Sequence, residues 1–312
     1  MTEIIVHTPQ NQESRRYRYY NYFWEEFINH LKTKFIVEED TYYEFANQRS
    51  YEITLLCGIR MHLLECEMII ENKQTKEFVV LSVSDSLTGA ALNNQSNPLC
   101  KKVLIAQFDR NTIRQHVQND EDFKKYSPWI YFPSNIFDFD AVYNERKNIT
   151  DFIDKFFFRG TSIEDRIILS RFNTDYFEGG LPIGVFDAYA RILIKHKIAL
   201  SIAGRGEFCY RDVENFAIGA PIMRFEFNNE MYQPLIPNFH YISVERPNDL
   251  PLDRLGEKHH AEMLEKRFLE VKDDINFLNF ISDNARKYYE DFLSINGSVN
   301  LTYKILNLNE WE

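Results

Sequence analysis

Apolar residues along the chain gather in short runs that alternate with amphipathic stretches, and this rhythm predicts the elements. The first run, EIIVHTP at residues 3–9, reads as a strand. After a polar loop, YRYYNYFWEEFINHLKTKF reads as an aromatic helix. Further strands are expected at YEITLLCGI, MHLLECEMII, EFVVLSVSD and KKVLIAQFD, with asparagine-rich loops such as ALNNQSNPLC between them. These runs are continuously apolar more than alternating, the pattern of strands covered on both faces.

From about residue 155 the order is strand KFFFRGT, helix VFDAYARILIKH, strand IALSIA, helix RDVENFAI and strands APIMRFEF and HYISVE. Phe186, Tyr189, Ala190, Leu193 and Ile194 share one helix face by their spacing. Strands alternating with helices imply parallel sheets built from βαβ units. The expected fold class is therefore α/β, with two doubly wound domains in tandem, residues 1–150 and 151–312. Their joint is expected in the polar stretch FDAVYNERKNITDFIDK, and long charged helices close the chain. In open α/β sheets ligands bind beyond the carboxyl ends of the strands, so functional residues are sought there, in a cleft between the two domains.

Composition narrows the function classes. With 44% hydrophobic and 15% aromatic residues among 312, the chain can fill cores of this size. The N-terminal MTEIIVHTPQNQESRRYRYY has no apolar run of signal-peptide length, and no stretch is long and apolar enough for a membrane span, so a cytoplasmic location is expected. Cys57, Cys66, Cys100 and Cys209 show no CxxC spacing and read as reduced thiols. The sequons at Asn94, Asn148, Asn296 and Asn300 are then expected to stay unused. A formal charge of −11 argues against nucleic-acid binding, and the cluster Arg15-Arg16-Tyr17-Arg18 is too short to reverse that.

Two loops carry the candidate chemistry. Strand IALSIA ends at Ala203, where Gly204 and Gly206 permit a tight turn before a helix that begins near Tyr210. Arg211 stands in the first turn of that helix, where acidic residues are usually preferred. An arginine there makes sense if an anion sits between it and the helix N-terminus; the alternative is a solvated surface residue. The second loop ends strand KFFFRGT with Arg159, Gly160 and Thr161, with Arg166 a few residues on. Thr161 and Ser162 also suit helix caps, and Arg166 also suits a surface ion pair. Both loops sit at carboxyl ends of strands in the same half, hence on one sheet edge.

Four segments, FFFRGTSIEDRIILSR, AGRGEFCYRDVENFAIGAPIMR, MYQPLIPNFHYISVERP and ISDNARKYYEDFLS, together resemble glycosyltransferase family 90, the protein O-glucosyltransferases and capsule xylosyltransferases. FFFRGTSIEDRIILSR is similar to the family's FFRGS…ERD…LSR segment, and AGRGEFCYRDVENFAIGAPIMR to its strand, glycine, arginine, helix and strand segment. MYQPLIPNFHYISVERP resembles its FYPxLKPWxHYIPVxxD run, and ISDNARKYYEDFLS its closing helix. The four stand in family order across about residues 155 to 294; the N-terminal half has no comparably clear match. The resemblance implies a GT-B fold of two Rossmann-like domains, an acceptor-side domain at 1–150 and a nucleotide-sugar domain at 151–312. It implies transfer of xylose or glucose from a UDP-sugar, with inversion, to a glycan or protein acceptor.

Carried over by position, Arg211 matches the arginine that contacts the diphosphate, Arg166 a second phosphate-binding arginine, and Thr161 a small hydroxyl residue near the nucleotide. Ser162-Ile163-Glu164 departs from the family pattern, so Arg159 and Arg166 compete for one role. Asp212 and Glu214 replace apolar or basic residues, with Glu214 a candidate for a ribose hydroxyl or a solvated residue. No cofactor or metal is expected, since the arginines and helix N-terminus can stabilise the leaving UDP and no DxD-type pair stands at either loop. The general base is expected at a strand end of the N-terminal half: Asp85 closing EFVVLSVSD, with Asp109 closing VLIAQFD as its rival and turn formation as the alternative role. His259-His260 reads as solvated rather than metal-binding. Tyr17, Tyr19, Tyr20, Tyr22, Phe23 and Trp24 suit either an acceptor platform or a core-packing face. A non-catalytic nucleotide-sugar or glycan-binding module on the same fold is the competing reading.

Overall fold

A computed structural model describes residues 1–10, 18–43, 50–64, 66–83, 96–132, 137–160, 164–172, 174–180, 186–203, 207–246 and 254–312. The chain forms two compact α/β units. Unit 1 comprises Met1–Ile136, Asn229–Gln233 and Phe292–Glu312; unit 2 comprises Phe137–Asn228 and Pro234–Asp291. The first passage between them falls between Ile136 and Phe137, ahead of the expected position at 150. The helix Phe139–Lys147, placed by the sequence in the joint, belongs to unit 2.

Unit 1 is built on six strands, β1 (Glu3–Gln10), β2 (Ile36–Tyr43), β5 (Glu67–Asn72), β6 (Phe78–Ser82), β7 (Cys100–Ile105) and β8 (Tyr126–Pro128), in the order β2-β1-β5-β6-β7-β8. The sheet is mixed: β5 runs antiparallel to both β1 and β6, and the other pairings are parallel. An all-parallel sheet was the expectation. The link from β5 to β6 is too short for a parallel crossover and turns tightly instead, with the Asn72 side chain accepting from Gln74 and Thr75 N–H and Lys76 at φ 59°. The run MHLLECEMII holds two strands, β4 (Arg60–Leu64) and β5. β4 pairs with β3 (Ser50–Thr54) as a separate antiparallel hairpin and alternates exposed with buried residues, whereas β5 is buried throughout.

The aromatic helix, Arg18–Lys32, buries Phe23, Trp24, Phe27, Ile28 and Leu31. Phe23 stacks on Phe132 with centroids 4.2 Å apart and meets Trp129 edge-on, so Phe23 and Trp24 pack the core. His7, 2% exposed, bridges three strands: Nε2 lies 2.8 Å from Glu71 on β5 and Nδ1 3.2 Å from Asp40 on β2.

Unit 2 has five parallel strands, β9 (Ile153–Arg159), β10 (Phe177–Gly180), β11 (His196–Leu200), β12 (Ile222–Phe225) and β13 (Ile242–Val244), ordered β10-β9-β11-β12-β13. In chain order this is 2-1-3-4-5, a doubly wound sheet whose direction of growth reverses between β9 and β11. Phe156, Phe158, Ile198, Leu200, Met223 and Phe225 form one face, covered by Ala261, Leu264, Phe268 and Val271 of the helix Arg254–Val271. Phe157 points to the other face and meets Tyr189 of the helix Phe186–Leu193.

Two of the segments quoted above lock this unit together. Arg286, in NARKYYE, donates to the carbonyl of Ala217 at the end of the helix Tyr210–Ala217 and pairs with Asp140 and Glu290. A cation at a helix C-terminus suits its dipole. Gly219 ends that helix at φ +62°, and a Cβ there would fall 2.7 Å from the Tyr143 ring. His240, in NFHYISV, packs against Tyr288 at 4.9 Å and accepts the Ile236 N–H on Nδ1 at 2.8 Å.

That bond needs a neutral ring, and burial lowers the His240 pKa from 6.5 to about 4. The unfolded imidazole takes a proton near 6.5 and the folded one only near 4, so His240's contribution to stability is complete above about pH 6.5 and drains away as pH falls towards about 4. Urea unfolding of wild type and His240→Asn, which keeps an acceptor but cannot charge, should show wild type losing ground to the variant across this window. A difference independent of pH would contradict the assignment.

Candidate functional site

The reversal between β9 and β11 is where an open parallel sheet leaves a crevice at its carboxyl edge. β9 ends in Arg159, and β11 leads through Ser201 to the helix Tyr210–Ala217, capped by Cys209. The first turn of this helix is bolted to the sheet from beneath. Asp212, 1% exposed, accepts from Cys209 N–H at 2.8 Å through Oδ2, and from Ser201 Oγ and Arg224 Nη1 through Oδ1, the latter at 3.0 Å. Arg224 rises from the middle of β12, donates to the Glu207 carbonyl at 2.8 Å and lies 3.4 Å above the Phe227 ring. A carboxylate of the chain thus accepts the N-cap N–H and is neutralised by a buried arginine.

Arg211 is held on the other side of the same turn. Its guanidinium carbon lies 3.7 Å from the Tyr189 ring centroid, and Nη1 lies 3.2 Å from Glu214 Oε2, one turn along. Tyr189 in turn donates to Asn215 Oδ1 at 3.4 Å. The Arg211 side chain keeps 23% of its exposure and Glu214 11%, so Arg211 is a preoriented cation reaching solvent past an apolar ring rather than a free surface residue. Burial lifts the Glu214 carboxyl to about 7, with Arg211 opposing the shift. Burial likewise lifts Tyr189 to about 12.

Arg159 shares its parity with Phe157, so it stands on the sheet face that carries Tyr189 and Arg211. Its guanidinium lies beside Gly180, the residue opposite it on β10, where an added Cβ would come 3.2 Å from Nη1. Its Nε is buried with no hydrogen-bond partner among the described residues. Gly160 N–H donates to the Gly180 carbonyl at 3.2 Å, and Tyr210 opens the helix. Arg159, Gly160, Tyr210, Arg211 and Glu214 therefore all belong to the carboxyl edge of one sheet. Asp85, Thr161, Gly204 and Gly206 lie outside the described residues. The backbone of Arg166 is in the 3-10 segment Glu164–Arg171, its side chain outside the description.

Other candidates resolve into structural roles. Asp109 caps the helix Arg110–His116, with Oδ1 taking Asn111 and Thr112 N–H and Oδ2 the Thr112 hydroxyl at 2.8 Å. The triplet Asp138-Phe139-Asp140 has DxD spacing, but Asp138 caps its helix through Ala141 N–H and Asp140 pairs with Arg286. Contrary to the expectation of a solvated pair, His260 is buried against Phe225, at 5.2 Å, while His259 is exposed. No group of three metal-ligating residues occurs, and no helix is long and apolar enough to cross a membrane, both among the described residues. Sequence reasoning missed Arg224, Ser201 and Tyr189. The signal was an arginine interrupting the apolar strand APIMRFEF, which needs a buried acid, with Asp212 one element earlier to supply it.

No family model and no curated protein matches this chain. Solved structures with a similar arrangement include a glycosyltransferase from Rickettsia africae, with 12% identity, covering 71% of this chain and 67% of that one, TM-score 0.45. Sucrose-phosphate synthase from Thermosynechococcus elongatus has 9% identity, 74% and 67% coverage and a TM-score of 0.44. Anabaena Alr3699/HepE, solved with UDP-glucose, has 12% identity, 69% and 66% coverage and a TM-score of 0.39. Likeness of this degree says nothing of chemistry, which has to come from the residues themselves.

Removing one partner of a buried ion pair leaves an uncompensated charge. Arg224→Met should therefore lower unfolding free energy by about 3–5 kcal/mol, read from denaturant midpoints. A loss below about 1 kcal/mol would mean that Asp212 does not depend on Arg224.

Proposed function

We propose that this chain is an inverting, UDP-sugar-dependent glycosyltransferase of the family 90 type, with a GT-B fold, that holds the donor diphosphate at the carboxyl edge of the unit 2 sheet. The observation that carries this reading is Arg211: a fork of N–H donors locked on Tyr189 at the switch point of a parallel sheet, on the same face as Arg159. Guanidinium forks suit phosphate oxygens, and the order of the four resembling segments places a phosphate arginine at this position. Arg159, whose Nε lacks a partner among the described residues, is the second cation on this edge.

In this reading the arginines stabilise the charge that grows on UDP as the bond to the sugar breaks, which removes the need for a metal ion. Asp85 deprotonates the acceptor hydroxyl, since the capping bonds of Asp109 already occupy both of its oxygens. The sugar is xylose or glucose, and the acceptor a glycan or protein hydroxyl.

Arg211→Ala should weaken UDP-glucose binding by about ten- to a hundredfold while leaving the far-UV spectrum unchanged, the scale of one charge-assisted bond. Unchanged affinity measured by calorimetry on the folded variant would sink the site. UDP-sugar hydrolysis without acceptor, which also separates an enzyme from a binding module, should survive EDTA; loss with chelator and recovery with Mg²⁺ or Mn²⁺ would contradict the metal-free mechanism. Asp85→Asn should lower turnover by about 10²-fold with UDP binding intact. Asp109→Asn should leave turnover near wild type, and the reverse outcome would exchange their roles.

A further inference from the structure

Glu214 has no part in that mechanism, yet among the described residues it is the acid ion-paired with Arg211. Its Oε2 lies 3.2 Å from Nη1, and Tyr189 covers one face of the guanidinium. The charged groups around it are otherwise engaged. Asp212, on its own helix, is bound to Arg224 of β12. Arg286, from the helix Ile275–Tyr288, is bound to Asp140 of the helix Phe139–Lys147 and to Glu290. Tyr189 comes from the helix Phe186–Leu193 and stays neutral, its pKa raised to about 12 by burial. Among the described residues, Arg211 is the cation in direct contact with Glu214.

A diphosphate arriving at Arg211 therefore meets an anion already there. Two anions sharing one guanidinium in a largely buried site repel, and the nearest relief is a proton on the carboxyl. Protonated, Glu214 no longer competes for Arg211 and gains an O–H that can donate to a phosphate oxygen. Resting on the reading of Arg211 as the diphosphate ligand, we propose that donor binding is linked to uptake of one proton by Glu214, making this carboxyl the residue that sets the pH range of donor binding.

The sign follows from the free carboxyl, which burial lifts to about 7. Below that pH the proton is already present and affinity is flat. Above it the site must take a proton from solvent, so affinity falls by up to about tenfold per pH unit until the pKa of the bound state is reached.

UDP-glucose is the probe, because its diphosphate does not titrate near neutrality. Calorimetry at about pH 8 in two buffers of different ionisation heat should show wild type taking up close to one proton per ligand bound. Between about pH 7 and pH 8 its affinity should drop severalfold, whereas Glu214→Gln should bind with no uptake and no slope. Zero uptake by wild type overturns the proposal without needing the variant. An unchanged slope in a folded Glu214→Gln overturns it too, while leaving the diphosphate site intact. Failure of wild type to bind UDP-glucose at any of these pH values would instead remove the reading of Arg211 on which the proposal stands.

Discussion

The buried pair between Asp212 and Arg224 is the interaction on which the unit 2 site depends. Burying a carboxylate at 1% exposure is tolerable only because three donors converge on it: a cap amide, a serine hydroxyl and a guanidinium. The donors come from three places, the loop before the helix, the end of β11 and the interior of β12. Satisfying Asp212 therefore fixes the height and rotation of the helix Tyr210–Ala217 over the sheet. Arg211, the preceding residue, has its direction set by that rotation.

Once the helix is fixed, Arg211 has few places to go. Its backbone neighbour is buried beneath it, the Tyr189 ring supplies a flat surface 3.7 Å away, and Glu214 takes one edge of the fork. At the other end of the helix, Arg286 on the Ala217 carbonyl and the left-handed Gly219 hold the exit. An eight-residue helix clamped at both ends is a rigid mount for a cation. Preorganised charge of this kind is what a binding site for a phosphate requires, because the cost of ordering the side chain is met during folding.

The strand-helix alternation of the second half was legible because β9, β11 and β12 are apolar runs divided by helices long enough to cross over. Direction was not legible in the first half. A short apolar run such as MII reads the same whether its neighbour is parallel or antiparallel, and only the short link from Asn72 to Phe78 decides it. Arg211 was legible because it violates a rule of helix starts. Arg224 and Asp212 were not, since Arg224 only interrupts an apolar strand and Asp212 suits any helix start; their pairing appears only when β11 and β12 bring them together. The segments around His240 and Arg286 resembled a glycosyltransferase family, and in this structure their polar residues hold the unit together rather than reach for a ligand. In the sequence Asp109 and Asp85 each follow an apolar run, yet the Arg-Asn-Thr after Asp109 lets it cap a helix.

The central claim is that the carboxyl edge of the unit 2 sheet receives a diphosphate through arginines already held in place. Nitrogen-15 resonances of arginine Nε–H groups report this directly, because Arg211 and Arg159 should feel a phosphate while Arg224 and Arg286 are occupied within the protein. Titration of arginine-labelled protein with UDP-glucose should shift the Arg211 and Arg159 signals, assigned by single Arg→Lys variants, and leave those of Arg224 and Arg286 in place. Shifts confined to other arginines, or no shift at a saturating ligand concentration, would contradict the account.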